Sequence, residues 1–267
     1  MNVFSFGSYF PAESPLHRLD PRAKLLLGCA YIVIALIAST PAALGALGAF
    51  TAACYLASSI PPGKALRSLA PLMLIVAVAS VLNLFVIQDG AVIAEWGPIR
   101  ITDGGVGRFL FVAARLTLMM LGMSLITMTT PTLDLTGALE RLFSPLARFG
   151  FPAHELGMIM GIALRFMPQF ASELVTVHRA QVSRGAGLAG SSVKGVRMLS
   201  SLTVPLFASA FRHAETLSAA MDARCYHGGA GRTRLHPLRL SARDGVAAAA
   251  MAALLACVLA ANALTLP

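Results

Sequence analysis

The chain has 267 residues, 57% hydrophobic and only 12% charged, whereas soluble domains carry about 25% charged residues. A mean hydropathy of +0.74 argues against a water-soluble globular protein of this size. The 21 Lys and Arg against 12 Asp and Glu leave a net charge of +9. In a soluble protein that excess points to nucleic acid, but in an apolar chain it points to loops held on the cytoplasmic side of a membrane. A nucleic-acid partner is therefore not expected. Cys29, Cys54 and Cys257 lie in apolar runs and Cys225 in a polar one, with no CxxC spacing, so neither a disulfide framework nor a zinc knuckle is indicated. The opening MNVFSFGSYFPAESP lacks a basic region followed by an apolar core and a small-residue cleavage site, and does not read as a cleavable signal.

A helix needs about 20 mostly apolar residues to cross the hydrocarbon layer. In chain order the candidates are Leu25 to Ser39, Ala42 to Ile60, Leu69 to Ile87, Phe109 to Thr129 and Val246 to Leu264. The first two are separated by little more than Thr40-Pro41 and read as a tight helical hairpin. Two further apolar runs, Leu156 to Phe170 and Met198 to Phe211, are shorter than a span, and each holds a proline, Pro168 or Pro205. Charge decides the topology. Arg18, Arg22 and Lys24 place the N-terminus in the cytoplasm, and Pro131 to Arg243 carries a net charge of +7. Threading the two short runs through the bilayer would export Arg179, Arg184, Lys194 and Arg197. The expected fold is thus an all-α integral membrane protein, with five transmembrane helices, N-terminus cytoplasmic and C-terminus outside the cell. Its parts are a cytoplasmic segment (1–24), four spans (25–130), a cytoplasmic or interfacial region (131–243) and a fifth span (244–267).

The 131–243 region has a helical pattern. Leu135, Leu139, Leu142, Phe143, Leu146 and Phe149 recur every three or four residues behind Thr132, a candidate N-cap, as in an interfacial amphipathic helix. A second helix is expected from Ala153 to Arg184, with the stripe Arg165, Gln169, Glu173, Thr176. A third is expected from about Lys194 to Arg224, with the stripe Lys194, Arg197, Ser201, Ser209, Arg212. Glycines are expected to stop both, Gly185 and Gly187 for one and Gly228 and Gly229 for the other. Each long helix then carries an arginine in its last turn.

Five stretches, in order, resemble the transmembrane T component of energy-coupling factor transporters, the vitamin and metal-ion (including cobalt) importers of prokaryotes. They are Ser14–Lys24, Thr129–Leu135, Ala163–Pro168, Ala180–Ala186 and Met221–Tyr226. The resemblance implies a non-catalytic coupling subunit working with two ABC-type ATPase subunits, which bind ATP and Mg, and with a separate membrane S component that captures the substrate. It implies no cofactor in this chain. The family's Ala-Arg-Gly-type docking motifs fall on Ser183-Arg184-Gly185 and Ala223-Arg224-Cys225, each departing at one flanking position. By analogy the substrate-capture subunit sits on apolar faces bearing Met158, Met160, Phe166, Met198, Leu202 and Phe207. An arginine suits docking because its planar fork clamps a carboxylate bidentately. It also meets the negative end of its own helix dipole, so capping is the simpler alternative.

Within the spans, Arg115 is expected either to reach the outer interface or to pair with another span, and Asn83 to hydrogen-bond between helices. Asp20-Pro21-Arg22 reads as a cap on the first span. The six histidines show no HxxxH or HExxH spacing, so no metal site is indicated. No GxxxxGK[ST] loop or nucleophile elbow marks an enzyme. The competing reading is a permease, of ABC or secondary-transporter type, with its own substrate site. Its mark would be a midplane cluster of charges or broken helices, for which only Arg115 and Asn83 are available.

Overall fold

Prolines open the first three helices, at a position whose missing N–H is unsatisfied in any helix. Asp20 precedes α1 (Pro21–Ile37), its carboxylate accepting from Arg22 N at 2.9 Å. Thr40 caps α2 (Pro41–Ser58) by accepting from Ala43 N at 3.2 Å. α3 (Pro62–Val86) leads to an antiparallel hairpin, β1 (Val92–Trp96) with β2 (Ile99–Thr102), and Thr102 then caps α4 (Asp103–Thr129). There follow α5 (Thr132–Phe143), a 3₁₀ turn (Ser144–Phe149), α6 (Ala153–Ser183), α7 (Ser192–Ala223) and α8 (Ala242–Thr265). The computed structural model describes residues 9–86, 92–96, 99–185, 192–229 and 241–265. Gly187, most of the 87–98 connection and the side chain of Met198 lie outside them.

Among the described residues, three helices are long and apolar enough to cross a membrane: Pro41–Ser58, Asp103–Thr129 and Ala242–Leu264. α1 has 17 residues, and α3 contains a shorter apolar stretch, Leu72–Leu84. The two short runs with internal prolines are the middles of α6 and α7, which continue through Pro168 and Pro205. Four details differ from expectation. Thr132 is the first residue of α5 rather than its cap, because Leu135 N donates to Pro131 O. The amphipathic pattern reaching Phe149 is completed by the 3₁₀ turn, whose Pro145 cannot donate to an α-helical ladder. The hairpin adds two strands to a chain read as all-helical. Finally, α1 and α2 are joined closely but pack mainly on α4 and α8.

The chain divides into two compact units, Gly7–Ala138 with Pro237–Pro267, and Leu139–His236. In the first unit the buried side chains of Tyr31, Ile34, Leu44, Leu47, Leu254 and Val258 form the main core. Lipid is as apolar as these side chains, so close packing and hydrogen bonds hold such a bundle together. Tyr31 Oη hydrogen-bonds Thr51 Oγ1 (2.7 Å) and donates to Leu118 O (3.0 Å), and Tyr55 Oη donates to Leu121 O (2.9 Å). Tyr31 reaches α4 because residue 122 is glycine, where a Cβ would stand 2.2 Å from the ring.

The C-terminal end of α1 faces the middle of α4, and its last carbonyls have no partner within their own helix. Arg115 solves this. Its Nη2 donates to Leu36 O (3.1 Å) and to Ala38 O, and its guanidinium lies over the Phe111 ring at 5.1 Å. Asn262 of α8 completes the cap, donating to Ile37 O (2.8 Å) and accepting from Ser39 N (3.2 Å). Of the two alternatives for Arg115, pairing with another span is the one observed. At the other end of α1, Lys24 is buried and donates to His17 O (3.2 Å) and Thr129 O (3.0 Å), while Asp244 accepts from Asp20 N (2.9 Å) and Ser241 N (2.7 Å).

Candidate functional site

The candidate site lies in the Leu139–His236 unit and is built on α6 and α7. Both helices are amphipathic, and they run antiparallel, as the pairings Glu173/Ser209, Gln169/His213 and His154/Tyr226 show. At their middles His213 Nε2 donates to Glu173 Oε1 (2.8 Å) and Ser209 Oγ donates to Glu173 Oε2 (2.8 Å). The His213 ring stacks on Phe166, with centroids 5.9 Å apart. The hydrogen bonds from His213 and then Ser209 hold the Glu173 carboxyl below the usual carboxylate range. A depressed carboxylate stabilises the fold fully above the ordinary Glu value of about 4.3, and that contribution is lost as pH falls through the lowered value. Glu173→Gln is therefore expected to flatten the acid limb of stability against pH below about 4.3, measured by thermal unfolding between pH 3 and 7.

Both long helices end in the same way. At the end of α6, Arg184 is the C-cap residue, its N–H donates to Ala180 O and Gln181 O, and Gly185 follows at φ +86°. At the end of α7, Cys225 N donates to Asp222 O (2.9 Å) and Tyr226 N to Met221 O (3.1 Å), the paired bonds of a Schellman motif. The residue after Arg224, Cys225, is left-handed at φ +54°. The left-handed residue that stops the helix is thus Cys225 rather than the expected Gly228. Cysteine here adopts the conformation that glycine holds at the other tip, against the Cβ clash of the left-handed region. Cys225→Gly is expected to stabilise the protein by about 0.5–1 kcal/mol, net of glycine's greater unfolded-state entropy. Thermal unfolding of the purified chain measures it.

Because backbone N–H groups take the last carbonyls, neither arginine is needed as a side-chain cap. Arg184 and Arg224 are exposed, and among the described residues neither guanidinium has an ion pair or side-chain hydrogen bond. Ser183, Gly185, Ala223 and Cys225 flanking them are exposed too. Tyr226 meets the first turn of α6 while Arg184 ends that helix, so at 1.5 Å per residue the two arginines stand roughly 40 Å apart.

The α7 tip is anchored by residues that the sequence reading did not single out. His154 Nδ1 pairs with Glu140 Oε1 (3.1 Å), and Tyr226 Oη reaches His154 Nε2 at 3.4 Å. Gly157 and Gly229 make room, since a Cβ on either would stand 2.6 Å from Glu140 and 2.3 Å from His154. Gly157 accommodates the Glu140 carboxylate, while Gly161, one turn on, has open space around it. Only Tyr226, within the Met221–Tyr226 stretch, carried a signal in the sequence.

Of the six residues assigned to a capture-subunit face, Phe207 is 60% exposed and Met158, Met160 and Leu202 are half-buried. Phe166 is engaged with His213, and Met198 lies in α7 with its side chain outside the described set. Asn83 Nδ2 donates to Ala79 O (2.9 Å), within its own helix rather than between helices. Among the described residues no three His, Cys, Asp or Glu come close enough to hold a metal ion.

Residues 12–236 match the model of the CbiQ family, described as cobalt transport protein. The chain is 40% identical over 245 residues to the energy-coupling factor transporter transmembrane protein EcfT of Brevibacillus brevis, covering 91% of this chain and 92% of that one. It is 42% identical over 245 residues to the EcfT of Thermosediminibacter oceani, with the same coverage of both. A Bifidobacterium longum protein named as an ABC transporter ATP-binding protein is 38% identical over 252 residues, which are 94% of this chain but 32% of that longer one. The apolar helices and these matches together establish the chain as an integral membrane protein of the CbiQ family, a membrane component of energy-coupling transporters.

Proposed function

We propose that this chain is the energy-coupling subunit of an ATP-driven importer for a vitamin or metal ion, with Arg184 and Arg224 each seated in a groove of one of two ATPase subunits. ATP and Mg belong to those ATPases, and this chain supplies no cofactor. The observation that carries the reading is the pair of guanidinium groups, without a partner among the described residues, held in matching C-cap geometry at opposite ends of an antiparallel helix pair. Two contact points roughly 40 Å apart suit two partner subunits better than one. The Bifidobacterium relative adds support: a segment like this chain occupies 32% of a polypeptide named for ATP binding.

Mechanically, closure of two ATPases on ATP changes the spacing of their grooves, and helices about 45 Å long carry that displacement as rods. A separate membrane protein that captures the substrate rests on the apolar faces of α6 and α7, which include Met158, Met160, Phe166, Met198, Leu202 and Phe207. Several large apolar side chains of these helices are exposed, among them Ile159, Val204, Phe207 and Phe211. In the bilayer, α1 and α3 join the three long apolar helices to make five spans, with the +7 region and the N-terminus on the cytoplasmic side. The permease reading is weaker because Arg115 and Asn83 are both committed to backbone carbonyls.

Cys225 offers a test beside the tip itself, since it is exposed and adjacent to Arg224. With Cys29, Cys54 and Cys257 replaced by serine, a membrane-impermeant maleimide is expected to label Cys225 in the isolated chain and not in the complex with its ATPases. Equal labelling in both states would remove Arg224 from the contact.

A further inference from the structure

The unit that contains α1, α2, α4 and α8 holds a cavity of about 380 Å³ walled by all four helices, among them Leu27 of α1, Cys54 of α2, Leu125 and Ile126 of α4, and Ala247 and Ala250 of α8. The walls on α1, α4 and α8 cover eight or nine residues, seven or eight steps along each helix, from Lys24 to Tyr31, Gly122 to Thr129 and Arg243 to Met251. At 1.5 Å per residue this is about 10–12 Å of depth, against about 15 Å for the hydrocarbon of one leaflet. The lining is apolar apart from Tyr31 and Thr51, whose hydroxyls bond each other, and from Lys24, Thr129 and Arg243 at one end.

Two cations stand at that end, in different states. Lys24 is buried and spends its donors on His17 O and Thr129 O. Arg243 is exposed, and among the described residues its guanidinium has no ion pair or hydrogen bond. The adjacent Asp244 does not neutralise it, because that carboxylate is buried and accepts from Asp20 N and Ser241 N. The cavity therefore combines an apolar furrow reaching most of the way through one leaflet with a guanidinium at its mouth that has no partner among the described residues, the group best shaped to clamp a phosphodiester.

We infer that this cavity is a phospholipid site, with one acyl chain between α1, α4 and α8 and the lipid phosphate on Arg243. A bound lipid there wedges α8 against α1 and α4 on the leaflet that carries the Asp20–Lys24–Asp244 knot. Lipid occupancy is independent of Arg184 and Arg224, which lie in the other unit. Native mass spectrometry of the full chain in detergent, titrated with palmitoyl-oleoyl-phosphatidylglycerol, tests it.

Wild type is expected to retain one lipid. Arg243→Gln, which removes the phosphate contact, and Ala250→Trp, which fills the furrow, are each expected to weaken its binding about tenfold. Arg108→Gln, a cation at the start of α4, is expected to bind as wild type. Thermal unfolding of each variant reports whether it is folded, and glycerol phosphate is expected not to displace the lipid. Absence of a retained lipid in wild type, wild-type binding by both Arg243→Gln and Ala250→Trp, or displacement by glycerol phosphate would overturn the assignment. So would loss of a co-purifying membrane partner on Ala250→Trp with no lipid in wild type, since that partner then fills the furrow.

Discussion

Reversing both tip charges, Arg184→Glu with Arg224→Glu, is expected to separate the chain from its ATPases during co-purification while leaving the fold intact. Truncating one partner of a buried, hydrogen-bonded charge pair costs about 2–5 kcal/mol of binding, so each tip alone is expected to lose affinity by roughly 30-fold or more. Reversal adds repulsion against the facing carboxylate. Because the contacts lie roughly 40 Å apart on one rigid pair, each strengthens the other by raising its effective concentration. The double variant should therefore lose more than either single variant. The fold is expected to survive because both arginines are exposed and the last carbonyls are held by backbone N–H groups. Unchanged thermal unfolding beside lost co-purification is the expected pair of results.

Arg115→Met is expected to have the opposite signature, a loss of stability with the tips untouched. The guanidinium supplies two carbonyls at the end of α1, Leu36 O and Ala38 O, which have no partner within the helix. Hydrogen bonds to a charged group are worth about 1.5–3 kcal/mol, and the orphaned carbonyls add a desolvation cost, so a loss of about 2–4 kcal/mol is expected in SDS-titrated or thermal unfolding. Asn262 takes only Ile37 O among these carbonyls and is no substitute. Arg115→Lys is expected to recover part of the loss, since an ammonium group reaches fewer acceptors in this geometry.

The long helices were legible because periodicity of three to four is a local property, extending over about 30 residues in both α6 and α7. Their C-terminal ends were predicted within one residue of those observed. Where a mechanism depends on one residue's conformation, composition misleads. Gly228 looked like the stop for α7, but Cys225 carries the left-handed turn, a state that residue type alone disfavours. Contacts between elements were less visible still. Nothing in Glu140 and His154, 14 positions apart, announces their pairing, nor does any local pattern connect Arg115 with carbonyls 77 and 79 residues earlier. The spans were harder to count than the tips were to find. Among the described residues only three helices meet length and apolarity together, while α1 is short and ends beside the middle of α4 on a polar cap.

The central claim is that the two tips transmit ATPase motion to transport. Its most direct measurement is ATP-driven substrate uptake beside ATP hydrolysis, in proteoliposomes holding this chain, its ATPases and its capture subunit. The double Arg184→Glu, Arg224→Glu complex is expected to lose uptake, with any remaining hydrolysis no longer dependent on substrate. Uptake at the wild-type rate, still coupled to hydrolysis, would contradict the account.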